Sequence, residues 1–222
     1  MNANTNTIEL GERLRTPSGD FLILDFEATC DRNGEIPRED KEIIEIGAVA
    51  VDSKTLKVFG EFQAFIKPSV NPVLTDFCKE LTSITQEDVD AANGFKEVAN
   101  SLYRFCFLHG IDWWGSWGNY DFNQLKQDSV LHNHPNPLPW EHFNLKQAFS
   151  DRQKLKRRLG LGGAIQLAEL SFDGTAHRGI DDAKNIARLA PYILGEDVLP
   201  SRNFSKSSVE EGVTRDKPNS AK

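Results

Sequence analysis

The stretch "FLILDFEATC", residues 21–30, begins as an apolar strand and then places Asp25 and Glu27 two positions apart. Successive side chains of a strand point to opposite faces, so both acids share the face of Phe21 and Ile23. Unpaired carboxylates are costly to bury, and neighbouring carboxylates raise each other's pKa. The pattern therefore indicates either a divalent cation between the two acids or a strand end at which both face water.

The composition is typical of one globular domain. The 222 residues are 39% hydrophobic, which is enough for a sizeable core. No apolar run reaches the length of a membrane span, and the start "MNANTNTIELGERLR" lacks the apolar core of a signal peptide. The three cysteines have neither an even count nor C-x-x-C spacing, so neither a disulfide framework nor a zinc site is predicted. We expect a soluble, cytoplasmic protein without membrane contact.

The formal net charge of -7 argues against a protein that coats nucleic acid through bulk charge. It does not exclude a local site for phosphates. The run "KQAFSDRQKLKRR", residues 146–158, is compact and basic. Such a run either meets phosphates or forms the solvated face of a helix.

The order of predicted elements indicates a mixed α/β domain. Two further strands, at 41–52 and 60–68, are expected to pair with the first in hairpin fashion. A helix within 94–110 precedes a fourth strand at 111–118. Later helices are predicted at 121–131, 144–158, 163–170 and 180–193. We expect an N-terminal extension (1–19), one domain (20–195) and a polar, mobile C-terminal tail (196–222).

A third acid, Asp121, follows the fourth predicted strand in "SWGNYDFNQL" and stands at the start of a helix. This position suits an N-cap, with Gln124 completing a capping box. Asp121 is therefore either a helix cap or a further member of an acidic site.

The segment "HRGIDDAKNIARLA", residues 177–190, supplies a fourth acid. In a helix from about Ile180, Asp182 aligns with Ile186 and Leu189 and points toward the protein body. Asp181 belongs to the wet face and suits the helix N-terminus electrostatically. His177 precedes the helix, and Gly179 allows a tight entry that brings the imidazole over the site that Asp182 enters.

Together these residues resemble the DEDDh family of 3′ to 5′ exonucleases, with "DFEATC", "SWGNYD" and "HRGIDDAKNIARL" as its three motifs in order. The resemblance extends from about residue 20 to 194. It is strongest to the branch of the enhancer-of-RNA-interference and histone-mRNA 3′ exonucleases, through "DFEATC" and "FCKELTSITQEDVDAA". It implies a ribonuclease H-like α/β fold, with a mixed sheet flanked by helices.

The resemblance also implies a mechanism with two Mg²⁺ or Mn²⁺ ions, about 3.5 to 4 Å apart in such sites. Asp25, Glu27 and Asp182 would hold the ion that activates water. Asp25 would also contact the second ion, on which Asp121 would act through water. The catalytic residues would be Glu27 and His177, the latter as the base that removes the water proton.

For substrate binding, the resemblance implies that the backbone around Ala28 and Thr29 receives the terminal nucleotide. Leu81, in "LTSIT" (81–85), would pack against the end base or simply pack in the core. Some animal members carry "SWD", whereas here three residues separate Trp117 from Asp121, so Tyr120 takes the adjacent position. The implied substrate-binding residues are Phe26, Ala28, Thr29, Leu81 and Tyr120.

Two further segments carry clustered aromatic or histidine side chains. The tryptophans of "IDWWGSWG" form either a stacking platform for bases or part of the core. The histidines of "HNHPNP", His132 and His134, are interpreted as loop residues because Pro-rich surroundings favour an exposed connection.

The leading hypothesis is a metal-dependent 3′ to 5′ exonuclease that acts on single-stranded RNA or DNA 3′ ends and releases nucleoside 5′-monophosphates. Preference for RNA follows from the subfamily resemblance alone. The alternatives are a DNA-trimming or proofreading exonuclease and a nucleic-acid-binding protein that keeps the fold without catalysis. The sequence does not reveal whether the protein has protein partners.

Overall fold

The computed structural model describes residues 18–200, and in that range the strands form one five-stranded sheet. The strands are β1 (Phe21–Ala28), β2 (Ile43–Val51), β3 (Val58–Phe65), β4 (Trp113–Ser116) and β5 (Glu141–Asn144). Their order across the sheet is β3-β2-β1-β4-β5. Neighbours among β1, β2 and β3 are antiparallel, whereas β4 and β5 run parallel to β1. The mixed sheet and the hairpin-like pairing predicted from the sequence are confirmed.

Helices cover both faces of this sheet. A short 3₁₀ turn at Arg38–Asp40 lies between β1 and β2. The α-helices in the described residues are α1 (Asp76–Thr82), α2 (Gln86–Asp90), α3 (Phe95–Leu108), α4 (Tyr120–Leu131), α5 (Leu145–Arg152), α6 (Leu161–Leu167), α7 (Gly179–Arg188) and α8 (Ala190–Leu194).

Strand β1 lies at the centre of the core because it is apolar on both faces. Phe21 and Ile23 pack in a cluster with residues of α5 to α8, including Ile186. Leu22 and Leu24 pack on the opposite face, in a cluster with α3 and α4. Asp25 and Glu27 therefore continue the face that α7 covers, as the alternation along the strand predicts.

Strand β5 and the short helices α1 and α2 were missed, and two predicted helices have the wrong bounds. Strand β5 was not predicted, since four residues are too few to show alternation. The helix predicted at 144–158 ends at Arg152, because Lys154 takes the left-handed conformation (φ 53°). The helix predicted at 180–193 divides between α7 and α8, where Pro191 occupies the first turn of the second helix. The second half of the basic run therefore lies on an exposed loop rather than on a helix face.

The N-terminus of α7 approaches the sheet so closely that two glycines are required at the contact. A Cβ on Gly47, which pairs with Asp25 across the β1–β2 ladder, would lie 1.9 Å from the backbone nitrogen of Ile180. A Cβ on Gly179 would lie 2.8 Å from the carbonyl oxygen of Asp25. The role of Gly179 is thus close approach, while the left-handed turn before the helix falls on His177 (φ 63°). This contact brings the first turn of α7 beside the acids of β1.

Gly47→Ala is expected to push α7 away from the sheet. Overpacking of this kind costs about 1–3 kcal/mol in the free energy of unfolding. In a chain of this size, each kcal/mol lowers the midpoint of thermal unfolding by about 2–4 °C. Gly162→Ala is the matched control, because Gly162 lies in α6 and its added Cβ meets open space. Equal midpoints for the two variants in thermal denaturation would contradict the close-approach argument.

Residues 1–17 and 201–222, which carry most of the expected N-terminal extension and tail, lie outside the described residues. Within 196–200, which the sequence pattern assigned to the tail, the chain contacts the body. Gln153 donates from its amide to the carbonyl of Asp197 and accepts from the backbone nitrogen of Leu199. Among residues 18–200, no helix is both long and apolar enough to cross a membrane.

Candidate active site

The two acids of β1 lie at the end of the strand where it meets α4 and α7. Glu27 is 8% exposed and Asp25 is half-buried. Asp25 lies close enough to Asp121, Asp182 and Glu27 for their charges to interact. Within residues 18–200, neither the Asp25 nor the Glu27 carboxylate accepts a hydrogen bond from another side chain or backbone group. The fold therefore brings the four predicted acids together and leaves the two central ones without donors.

Asp121 joins this group from the first turn of α4. Its side chain is 4% exposed and accepts a hydrogen bond from the backbone nitrogen of Phe26, 3.1 Å away. The helix begins one residue earlier, after Asn119, and no side chain caps it. The capping-box alternative is therefore wrong: Gln124 donates instead to Asp128 and to the carbonyl of Lys41.

Asp182 joins the group from the first turn of α7 and is 9% exposed. One of its oxygens accepts from the backbone nitrogen of His177 at 3.1 Å. Ligand atoms of Glu27, Asp182 and the exposed His177 all lie within 4.8 Å of one another. Asp181 points elsewhere and accepts from the backbone nitrogen of Thr175 at 2.8 Å. The helix phase deduced from the sequence is the one observed.

The electrostatics of the group are those of carboxylates crowded without compensation. Burial, followed by repulsion from the other acids, raises the pKa of Asp25 well above its ordinary value. Burial and the charge of Asp182 raise the pKa of Glu27 to about 9. Burial raises the pKa of Asp182 to about 7 and that of Asp121 to about 6, although each accepts a backbone hydrogen bond that opposes the shift. The group favours either bound protons or a bound cation.

We expect the metal-free protein to lose stability as the pH rises from about 5 to 9. Acids whose pKa is raised by folding hold protons that the unfolded chain has released above about pH 4, so the free energy of unfolding falls through this window. Each unit of pKa difference is worth about 1.4 kcal/mol. Thermal denaturation in chelator should show this fall, and it should be smaller in Asp182→Asn. A stability that rises over the same range in chelator would contradict the assignment.

A fifth buried acid, Glu45, was missed by sequence reasoning. It lies on β2 directly opposite Glu27 and is 0% exposed. Its carboxylate accepts from the Arg178 guanidinium twice, at 3.2 Å each, and from the backbone nitrogen of Gly179 at 3.1 Å. Glu45 thus anchors the residues between His177 and α7. The signal available in the sequence was a single charged residue inside the apolar run "IIEIGAVAV".

Two other buried acids are structural. Glu42 accepts four hydrogen bonds from residues 69–71. Asp128 accepts from the backbone nitrogen of Ile43 and from Gln124. Full satisfaction by donors distinguishes these acids from Asp25 and Glu27, and this difference is invisible in the sequence.

The residues that the resemblance assigned to substrate binding lie around the same strand end. Phe26 is 4% exposed and packs in the core, so only its backbone is near the acids. Thr29 accepts on its hydroxyl from the backbone nitrogen of Glu42. Ala28 is 7% exposed, and Leu81, on α1, is half-buried. The Tyr120 ring is 49% exposed, and burial of its hydroxyl beside Asp121 and Glu27 raises its pKa.

The tryptophans of "IDWWGSWG" belong to the core. Trp113 stacks on Phe21 with ring centroids 4.3 Å apart, and Trp114 is fully buried. Trp117 is partly buried and donates to the carbonyl of Leu159. A base-stacking platform from Trp113 or Trp114 is therefore excluded.

His132 and His134 lie in the connection that follows α4. Their ring centroids lie 4.9 Å (His132) and 6.0 Å (His134) from the ring centroid of Phe95. Both are loop residues, as predicted, but both are half-buried and packed, whereas the Pro-rich sequence predicted an exposed connection.

The acidic group fits a divalent cation. Hard cations take oxygen ligands at about 2.0–2.6 Å, so ligands of one ion lie within about 5 Å of each other. Glu27 and Asp182 meet this condition. The unsatisfied carboxylate of Asp25 lies close enough to both for their charges to interact. The nearby cation Arg178 is already bound by Glu45. The donor set therefore matches a divalent metal centre.

Comparison with known proteins agrees with this geometry. The family model described as an exonuclease, RNase T, matches residues 22–190. The chain belongs to this exonuclease family. Among solved structures, the nuclease domain of 3′hExo, a DEDDh family member, bound to rAMP, is similar with a TM-score of 0.73 and 31% identity, over 80% of this chain and 92% of that one. The ribonuclease H-like fold implied by the motifs is thus confirmed.

Two relatives indicate the branch of the family. The 3′-5′ exoribonuclease 1 of Homo sapiens is 33% identical over 188 residues, which cover 78% of this chain and 52% of that protein. The 3′-5′ exonuclease eri1 of Schizosaccharomyces pombe is 30% identical over 212 residues, covering 80% and 69%. The chain spans about half the length of the mammalian relative.

Proposed function

We propose that this chain is a 3′ to 5′ exonuclease that degrades RNA from its 3′ end to nucleoside 5′-monophosphates. One observation supports this most strongly: four acids from β1, α4 and α7 converge, with His177 beside them, in a chain similar to named exoribonucleases. These acids come from distant parts of the sequence. Packing does not explain why they meet, because unpaired buried carboxylates destabilise a fold.

We assign Mg²⁺ or Mn²⁺, two ions per site, to the acidic group. Asp25, Glu27 and Asp182 would hold one ion, with Asp25 and Asp121 serving the second. Such ions lower the pKa of bound water and stabilise charge on the departing oxygen. Asp121 also bonds the backbone of Phe26 and so ties α4 to the strand that carries the other acids. The carboxylates keep these positions because β1 is buried on both faces.

His177 is assigned as the general base. Its ring is exposed, and its nitrogen lies within reach of the Glu27 and Asp182 oxygens. The hydrogen bond from its backbone nitrogen to Asp182 fixes the turn that carries the ring. The neutral imidazole accepts the proton of the attacking water, while Glu27 and Asp182 orient that water. Glu45 holds Arg178 and Gly179, the next residues along the chain, and so limits movement of the turn.

The terminal nucleotide is proposed to lie along Ala28 and Thr29, between Leu81 and Tyr120. The half-exposed Tyr120 ring offers a face on which a base can stack, and stacking tolerates any base. The exposed loop 154–158 carries four cations, and its neighbour Leu159 accepts from Trp117, just before the α4 acid. We propose that this loop meets phosphates of the strand that leads to the site.

His177→Asn is expected to lower the rate of cleavage by about 10²- to 10⁴-fold. Asparagine tolerates the left-handed conformation observed at this position, so the substitution removes the base without adding backbone strain. Initial rates at saturating Mg²⁺ measure the effect, and the midpoint of thermal unfolding serves as the control for folding. An undiminished rate in a folded variant would rule out His177 as the base.

The proposed function is tested on 5′-labelled single-stranded RNA and on DNA of matched sequence. Each is supplied with a free or a blocked 3′ end, with Mg²⁺ and with chelator. The free RNA end should shorten one nucleotide at a time, only with metal, and the blocked end should resist. Faster cleavage of DNA would make the chain a DNA-trimming enzyme. Internal cuts would indicate an endonuclease, and binding without cleavage would indicate a non-catalytic protein.

A further inference from the structure

Two free cysteines lie against each other beside the candidate active site. Cys30 lies just after β1 and is half-buried. Cys78 is on α1 and is fully buried. Cys30 packs against the buried cluster that contains Cys78, although the two residues are 48 positions apart in the sequence. The Cys78 sulfur also lies 3.7 Å from the carbonyl oxygen of Ala28. The pair therefore joins α1 to the end of β1.

Thr75 holds the backbone of both cysteines. Its hydroxyl donates to the carbonyl oxygen of Cys30 at 2.6 Å and accepts from the backbone nitrogen of Cys78 at 3.0 Å. Thr75 is also the N-cap of α1, so Cys78 lies in the first turn of that helix. The interaction with the Cys30 thiol lowers the pKa of the Cys78 thiol to about 7. Thr75 therefore keeps the two cysteines side by side.

We propose that Cys30 and Cys78 are a site of reversible oxidation, at which a peroxide joins the two thiols in a disulfide. The first thiolate attacks hydrogen peroxide, the O–O bond breaks, and a sulfenic acid forms as hydroxide leaves and takes up a proton to become water. The second thiol attacks that sulfur, the S–O bond breaks, and the oxygen leaves as a second water. Two thiols are oxidised and one peroxide is reduced. The half-buried Cys30 gives the small oxidant access to the pair.

Closing this bond affects the nuclease site. A disulfide holds its two sulfurs about 2.05 Å apart, closer than unbonded sulfurs can lie. The end of β1 and the first turn of α1 must therefore move together. Glu27 lies three residues before Cys30, and its carboxylate interacts with the Cys78 sulfur. Misplacement of a reacting group by about 1 Å can cost about 10²-fold in rate. Oxidation is therefore expected to inhibit the nuclease, an effect that rests on the function proposed above.

The experiment uses the full chain, first reduced and then treated with hydrogen peroxide, with free thiols alkylated afterwards. In the wild type, the intact mass before alkylation should fall by two hydrogen atoms. After alkylation, trypsin should release residues 16–32 linked to residues 58–79, the peptides that carry the two cysteines. Cys106→Ser is the matched control, because Cys106 is a residue of α3 that is buried in a different cluster from Cys78. It should behave as the wild type does, whereas Cys30→Ser should form no link.

Cleavage of 5′-labelled RNA is measured on the same samples. The rate should fall about 10²-fold in the wild type and in Cys106→Ser, return after dithiothreitol, and stay constant in Cys30→Ser. Absence of the linked peptides, or equal inhibition of Cys30→Ser, would overturn the proposal. A linked product with an unchanged rate would overturn its control of the site. If the reduced chain cleaves no RNA, the proposed function fails, and the mass still decides the thiol chemistry.

Discussion

Asp25→Asn is expected to remove measurable cleavage at saturating Mg²⁺ while the protein stays folded. The charge of Asp25 interacts with those of all three other acids of the group, so loss of Asp25 disrupts the whole cation site. Loss of an outer partner of a metal ligand already costs about 10- to 100-fold, and loss of the central ligand costs more. The amide has nearly the same shape as the carboxylate. Because it is uncharged, it relieves the repulsion from the other acids.

The stability of the same variant provides the control. In chelator, its midpoint of thermal unfolding should equal or exceed that of the wild type, because one of the repelling charges is gone. Added Mg²⁺ should raise the midpoint of the wild type more than that of the variant, since a ligand stabilises only the state that binds it. Turnover equal to that of the wild type would refute the metal centre.

Asp182→Asn is expected to abolish cleavage, whereas Asp181→Asn should retain most of the wild-type rate. The two residues are adjacent on α7, but Asp182 is 9% exposed beside Glu27 and His177. Asp181 accepts from the backbone nitrogen of Thr175, and the carbonyl oxygen of asparagine can accept the same bond. The two variants thus remove one charge each, at adjacent positions on one helix turn, with the same change in side-chain volume.

The comparison requires initial rates on one RNA at one Mg²⁺ concentration. The Mg²⁺ dependence adds a second readout, because Asp182→Asn should also weaken the rise of the unfolding midpoint with metal. An inactive Asp181→Asn together with an active Asp182→Asn would mean that Asp181 is the acid that faces the reaction, and the helix would then be misplaced on the sheet.

The acids could be predicted from the sequence because their periodicity and their neighbours in sequence are local properties. Alternation along β1 placed Asp25 and Glu27 on one face, and the 3.6-residue period placed Asp182 inward. Asp121 was ambiguous, since a carboxylate in the first turn of a helix suits a cap as well as a site. Its hydrogen bond to Phe26, 95 residues away in sequence, decided between the two.

The basic run and the tryptophans show where local patterns were insufficient. Residues 146–158 have the composition of a helix, yet α5 ends at Arg152 and the remaining cations are on a loop. Trp113 and Trp114 suit a stacking surface or a core equally well by type. The parallel pairing of β4 between β1 and β5 buries both.

The sequence by itself determined the class of the fold, the identity of the four acids and the histidine beside them, because these depend on residue type and on spacing along one element. Only the tertiary structure decided which buried acids are satisfied by donors, that Gly47 and Gly179 permit the approach of α7, and that Glu45 holds Arg178. Cys30 and Cys78 likewise meet only after folding. The physical reason is that burial and hydrogen bonding between distant segments depend on the packing of whole elements, which no short window of sequence contains.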